Sequence, residues 1–313
     1  MANLRTEIWQ TVIENNFFAS WERLKAMATE DNSYVSKPNG QKHFKAYIPQ
    51  AGMLRKPLIN PTQYPLTVDV REDDVLDYQL DNLVMEPEYL NDYDVSLISY
   101  DKLSSILEDM VGNLGEEYLY RAMARWYPGK VTNQHVETSG SATGATAPGA
   151  TGNRKSITIA DFRKATELLE AQSAPGERMS ILPNSMFWQL VAEIETKNWN
   201  VRLVEKDGLS MLEAPIYNTR IAYFPKAIRT VANGSAAKFP QDAGAATDQE
   251  VGLVYVKRAV SIARPEQDGV NYYFNEKDAT YQGDIVSANT WMGASYRRLD
   301  KKGIIPIIQA NAT

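Results

Sequence analysis

Two histidines, His43 and His135, and no cysteine are all that the chain offers to imidazole or thiolate chemistry. They stand far apart in sequence and without a cysteine partner, which argues against a histidine-based triad or a multi-histidine metal site; each reads as a surface side chain. Disulfides, iron–sulfur clusters and thiolate zinc sites are excluded outright. Carboxylates are plentiful, with 39 Asp and Glu. Pairs such as Glu116 with Glu117, or Asp92 with Asp94, could divide the roles of general acid and base. Adjacent helical residues do not share a face, however, and an acid-rich stretch supplies such pairs by chance. The run from Gly144 to Thr151 imitates a phosphate-binding loop but has Ala150 where a lysine must reach the β- and γ-phosphates. No nucleophile elbow, dinucleotide fingerprint or zinc-peptidase pair of histidines occurs. These residues predict no catalytic site, no cofactor and no metal. A hydrolase working through carboxylates alone is the alternative within that class.

Composition bounds the rest. The 313 residues are 43% hydrophobic and 23% charged. That suffices for a sizeable core in about two domains. A formal charge of -6 and a pI near 5.2 argue against a dedicated nucleic-acid binder but permit a protein that encloses nucleic acid. The first residues hold no apolar signal core, and nowhere is there a run of about 18 apolar residues.

The chain is organised around one long helix, predicted over 99–127. Leu103, Ile106, Leu107, Met110, Val111, Leu114, Tyr118, Leu119, Ala122, Met123 and Trp126 recur at three-and-four spacing, which makes one buried stripe. Ser99 is placed to cap it, Asp101 sits in the positive first turn, Arg121 and Arg125 lie near the negative end, and Pro128-Gly129 stops it. At 1.5 Å per residue it would be a rod of roughly 43 Å, long enough to need an extended surface to pack on.

Before it come an arm and a hairpin. Residues 1–36 show a helical stripe that includes Phe17 and Trp21, with Trp9 nearby. The stripe fits an ordinary first helix on its own core and equally an arm packed on another subunit. Residues 37–75 are proline-rich and read as an extended β-hairpin with strands near His43–Ile48 and Tyr64–Val70. An isolated hairpin is barely stable, so it needs a partner surface. From Lys37 to Val68 there are five basic residues, among them Lys42, Lys45, Arg55 and Lys56, and no acidic one. From Asp69 to Asp94 there are ten acidic residues, including Asp73, Asp74, Asp77 and Glu86, against Arg71 alone. Two solvated faces would give this pattern. So would a basic hairpin that docks on the acidic belt of an adjacent copy, which is the hypothesis adopted.

After the long helix, 138–152 reads as a flexible Gly/Ala/Thr loop. Thr158 or Asp161 opens a second helix ending near Ala174-Pro175-Gly176. Met179–Pro183 is a predicted strand feeding a helix over 184–197. Strands follow at Val201–Val204, Thr219–Phe224, Val251–Val256 and Val270–Phe274, with a turn at Lys206-Asp207-Gly208 and a loose loop over 233–247. Short strands at Asp284–Ala288, Met292–Tyr296 and Ile304–Ile308 close the chain. The class is α+β.

This order, and the wording of Ala46-Tyr-Ile-Pro-Gln-Ala-Gly52, Asn60-Pro-Thr-Gln-Tyr-Pro65, Leu97-Ile-Ser-Tyr-Asp-Lys102, Tyr281-Gln-Gly-Asp-Ile-Val-Ser-Ala288, Trp291-Met-Gly-Ala-Ser295 and Arg298-Leu-Asp-Lys-Lys-Gly303, resembles the major capsid proteins of tailed double-stranded DNA phages. Their fold is the Hong Kong 97 type. The resemblance implies an N-terminal arm (1–36), an extended hairpin loop (37–75), a peripheral domain with the spine helix (76–175), an axial domain (176–280) and return strands to the peripheral domain (281–313). It implies hexamers and pentamers closing into an icosahedral shell around packaged DNA, assembled in the host cytoplasm and residing in the virion, with a portal at one vertex. The arm-like region starts at the first residues, so a separate scaffolding protein is expected. Some members cross-link a hairpin lysine to a neighbour's asparagine; Lys42, Lys45 and Lys56 are the lysines available, and no motif matches such a site. An encapsulin-like compartment shell keeps the fold and changes the cargo.

Overall fold

The computed structural model describes residues 20–38, 43–51, 59, 62, 73–91, 102–197, 202–213, 216–226, 228–265, 270–278, 280 and 283–312. Its centre is the helix Lys102–Arg125, which serves as the wall between two sheets. Met110, Leu114, Tyr118, Leu119, Ala122 and Met123 are buried, as the spacing requires. Beyond the helix Trp126 is also buried; its amide still bonds to Ala122, after which Pro128 and Gly129, at φ +85°, turn the chain away. Its expected cap, Ser99, lies outside the described residues.

One flank of the helix packs on a six-stranded sheet built on the strand Gly283–Tyr296. The Tyr118 hydroxyl donates to the Gly293 carbonyl at 2.9 Å and the Trp126 indole N–H to Ser261 at 3.0 Å. The expected pair of short strands is therefore one strand of 14 residues. Asn289, Thr290 and Trp291 carry the two-residue alternation through without a turn. Val260–Ala263, Val270–Asp278, Asp81–Val84 and Glu88–Asn91 all pair with it antiparallel.

The helix's other flank meets a nine-stranded sheet, through Tyr120 against Phe224 and Trp126 against Tyr255. All eight residues of its central strand, Gln249–Val256, are buried. Arg178–Pro183 and Ile304–Ile308 flank it antiparallel, and Arg220–Phe224 continues parallel to the former. The C-terminal stretch thus divides. Gly283–Tyr296 returns to the long helix, whereas the apolar Ile304–Ile308 fills a fully buried place in the other sheet. Leu203–Lys206 and Leu209–Leu212 form an edge hairpin whose turn residues Asp207 and Gly208 both have positive φ, as a two-residue hairpin turn demands.

The helices Ile159–Ala171 and Asn184–Thr196 complete this half. The first begins in a capping box, Thr158 accepting from the Asp161 amide and Asp161 from Thr158. The loops 138–152 and 233–247, expected to be loose, hold each other instead. Thr151 N–H donates to Ala246 at 3.1 Å, and buried Arg154 donates to the carbonyls of Ala246 and Asp248 at 3.1 and 3.3 Å. A Cβ on Gly244 would lie 2.1 Å from the Pro148 oxygen, so the backbones approach to a distance only glycine allows. Composition signals flexibility there because both loops are rich in glycine and alanine, and the contacts between them are long-range.

The hairpin is present with a different partner strand. Lys45–Gln50 pairs with Asp74–Gln79, and Val35–Ser36 lies on its other side. The expected return strand, Tyr64–Val70, lies outside the described residues. A small second core of Ala46, Leu80 and Ala263, with Val35, Phe44, Tyr78 and Trp291 around it, fixes the hairpin root to the long strand.

Candidate functional site

The groups that could do chemistry are scattered. The His43 ring lies edge-on to Trp291 at 5.7 Å, and His135 Nδ1 is 2.8 Å from the Val131 carbonyl. Glu116 is 3.1 Å from Lys226. Among the described residues no three His, Asp or Glu side chains converge on a metal site. Buried Asp248 accepts from Lys238 at 2.8 Å and from the Ala245 amide at 2.9 Å. Burial alone would raise its pKa, but the hydrogen bonds from Lys238 and Ala245 prevail and hold the carboxyl below its usual range. An open depression of about 420 Å³ is lined by Arg163, Glu167, Glu170 and Arg178, which satisfy one another: Arg163 with Glu167 at 3.4 Å, Arg178 with Glu170 at 2.6 Å. Among the described residues no helix is long and apolar enough to cross a membrane.

The surface that sequence singled out is the charged hairpin. Antiparallel register sets basic Lys45–Gln50 directly against acidic Asp74–Gln79, with Tyr47 opposite Asp77 and Gln50 opposite Asp74. Lys45 Nζ reaches Asp77 Oδ2 diagonally at 3.3 Å, so this pair closes within one chain. Both side chains retain substantial exposure, which limits such a pair to about 0–1 kcal/mol. Asp73 and Asp74 open the acidic strand, exposed, and Glu86 is exposed in the connection between Asp81–Val84 and Glu88–Asn91. Lys42, Arg55, Lys56, Trp9 and Phe17 lie outside the described residues. Trp21 is placed differently from the expectation of an inter-subunit contact. It is 1% exposed, stacked on Tyr118 at 6.0 Å with Arg264 over its ring at 4.9 Å. Its own chain's core encloses it, because the helix over 20–27 lies against the long helix with Leu24 and Met27 also buried.

Two features hold the hairpin to the body and were not legible beforehand. Gln50 Nε2 donates to the Arg297 carbonyl at 2.7 Å, and the Arg297 guanidinium binds buried Asp31 at 2.9 Å. Tyr78, mid-hairpin, shares a 2.8 Å hydrogen bond with Ser261, and burial raises its pKa well beyond the ordinary tyrosine range. These partners are 183 to 266 residues apart in sequence, beyond the reach of any local pattern.

Outward from this root the surface carries unusual apolar exposure. Ile59 is 86% exposed, and Val84 and Tyr273 are 58% and 57% exposed. Register puts Val84 opposite Asn289 and Tyr273 opposite Ser287, on the same sheet face as Trp291 and Gly293, where the hairpin root sits. That face is thus covered at one end and open at the other.

No protein-family model matches the chain, and no curated protein matches it. Solved structures do. The capsid of the cyanophage P-SCSP1u matches with 18% identity and a TM-score of 0.57, covering 91% of this chain and 87% of that one. The capsid of Helicobacter pylori bacteriophage KHP30 matches with 12% identity and a TM-score of 0.59, covering 86% and 84%. An encapsulin from Synechococcus elongatus matches with 12% identity and a TM-score of 0.51, covering 76% and 77%. The fold is that of tailed-phage capsids, the Hong Kong 97 type.

Proposed function

We propose that the chain is the major capsid protein of a tailed double-stranded DNA phage. Copies form hexamers and pentamers that close into an icosahedral shell, with packaged DNA enclosed, a portal at one vertex and a separate scaffolding protein guiding assembly in the host cytoplasm. The observation that carries this reading is the fold itself, matched over most of the chain to phage capsids. The scattered chemistry agrees with a structural role.

The hairpin supports it on physical grounds. A three-stranded sheet held to the body by a small root core and the Gln50–Arg297 and Tyr78–Ser261 hydrogen bonds, with Ile59 86% exposed, buries little apolar surface of its own. It gains stability by lying on another subunit. In this reading the basic residues left over after the Lys45–Asp77 pair, Lys42, Arg55 and Lys56, face acidic groups of the neighbour such as Asp73, Asp74 and Glu86. Complementary potential sets register between copies more than affinity.

The encapsulin match favours a second reading, a compartment shell with protein cargo. Both are shells, and their contents separate them. Size-exclusion chromatography with light scattering on the purified chain tests what they share: particles of megadalton mass support a shell, and a monomer that persists with scaffold supplied rejects it. Nucleic acid against protein inside purified particles then decides between them.

A further inference from the structure

Three turns converge at one end of the central strand Gln249–Val256. Lys257 N–H bonds to Glu177 at 2.9 Å, Val256 N–H to Gly303 at 2.9 Å and Arg297 N–H to Ala259 at 2.8 Å, which ties 172–178, 257–259 and 297–303 together. Lys257, Arg258, Arg298, Lys301 and Lys302 all stand on these turns, whose carboxylates are Asp300 and Glu177. Glu177, alongside, is 2.6 Å from Arg220, and Arg297 is taken up by Asp31. With the ion pairs Glu177–Arg220, Arg178–Glu170 and Arg297–Asp31 set aside, five cations against Asp300 leave +4 at this end of a chain whose total is -6.

The local field is visible in Asp300. Partial burial would raise its pKa, yet hydrogen bonds from Arg298 and the Lys302 amide, with the charges behind them, hold it below the usual range. Arg298 grips it at 2.7 Å and Lys302 lies 3.5 Å away. Lys301 donates to the Pro128 carbonyl at 2.9 Å over the Tyr296 ring. The Lys257 and Arg258 side chains form no ion pair among the described residues, and Arg258 is exposed. A solvated charged surface normally mixes signs. Here cations from separate segments meet with too few acids to neutralise them.

We infer that this basic end binds the phosphate backbone of nucleic acid, without reading its sequence, and so marks the face of the subunit that looks into the shell. Arg258 offers a guanidinium fork that fits a phosphate, and the lysines act as point charges. Contacts of this kind are electrostatic, weak and salt-sensitive. That suits a wall which must hold its contents without gripping them. The inference rests on the shell reading only for which side is inward; the phosphate contact stands apart from it.

The test is fluorescence anisotropy of a labelled DNA duplex titrated with the full-length chain, compared with the triple variant Lys257→Glu, Arg258→Glu, Lys302→Glu. With about four phosphates contacted, raising salt from about 50 to about 200 mM should weaken wild-type binding on the order of a hundredfold. The triple variant should bind at least about tenfold more weakly at the lower salt and lose most of that salt slope. Circular dichroism and thermal melting establish that it is folded. Wild-type binding that the triple reversal leaves unchanged overturns the inference, as does absence of binding at low salt. Tighter binding of poly-glutamate than of DNA at this end also overturns it, since the partner would then be an acidic protein. Particles that form normally while DNA binding fails would sink this inference and leave the shell reading intact; the converse separates them the other way.

Discussion

The carboxylate of Asp81 accepts a hydrogen bond from Arg121 at 2.9 Å, and the same carboxylate takes Arg125 at 3.1 Å on both oxygens. Register with Met292 turns Asp81 toward the long helix, where Arg121 and Arg125 stand one helical turn apart. Both guanidiniums lie over the Phe239 ring, at 4.3 and 5.2 Å, and Phe239 belongs to the nine-stranded half. One carboxylate therefore joins the hairpin's following strand, the helix and the opposite sheet.

Replacing Asp81 with alanine should cost about 1–3 kcal/mol, because it leaves the largely buried Arg121 without its carboxylate partner. Arg125→Ala, at a more exposed position, should cost less than about 1 kcal/mol. Urea unfolding of the unassembled chain measures both. Equal effects would mean the clamp is not organised around Asp81.

Gly293 sits where the hairpin root meets the long strand. An added Cβ would lie 2.9 Å from both Leu80 Cγ and Tyr78 Cε2. Gly293→Ala should push the root outward at about 1–3 kcal/mol and lower amide-exchange protection across Lys45–Gln50 and Asp74–Gln79, leaving the nine-stranded sheet protected. Uniform loss of protection would contradict a locally anchored hairpin.

Asp248 predicts a pH dependence. Its folded-state pKa is depressed, so its contribution to stability is complete above the unfolded value of about 4 and is lost as pH falls through the lower folded value. Acid unfolding curves of wild type and Asp248→Asn should converge as pH drops below about 4. Curves that stay parallel throughout would exclude the linkage.

The hairpin charges predict a change in assembly without a change in fold. Lys42→Glu, Arg55→Glu and Lys56→Glu together should leave the far-ultraviolet spectrum and melting temperature intact and prevent shells from forming. Normal shells from this variant would remove the acidic neighbour as its docking partner.

Much of this architecture is written locally. The three-and-four stripe from Met110 to Trp126 marks the wall helix, Thr158 with Asp161 marks the capped helix, and Asp207-Gly208 marks the edge turn, because each depends on residues within one or two turns of one another. The strand partner of Lys45–Gln50 was not legible, since proline and β-branched residues at 64–70 satisfy the same pattern as Asp74–Gln79 and only the long-range root of Leu80 and Ala263 is seen to favour the latter. Trp21 shows the same limit. Its stripe is equally apt for an own core or a neighbour, and Tyr118, nearly a hundred residues on, decides it.

The most direct measurement is electron cryo-microscopy of the largest species that the purified chain forms, with scaffold supplied if needed. The account predicts closed icosahedral particles built of six-fold and five-fold rings, each hairpin lying on an adjacent subunit. A uniform population of single 35.1 kDa chains would contradict it.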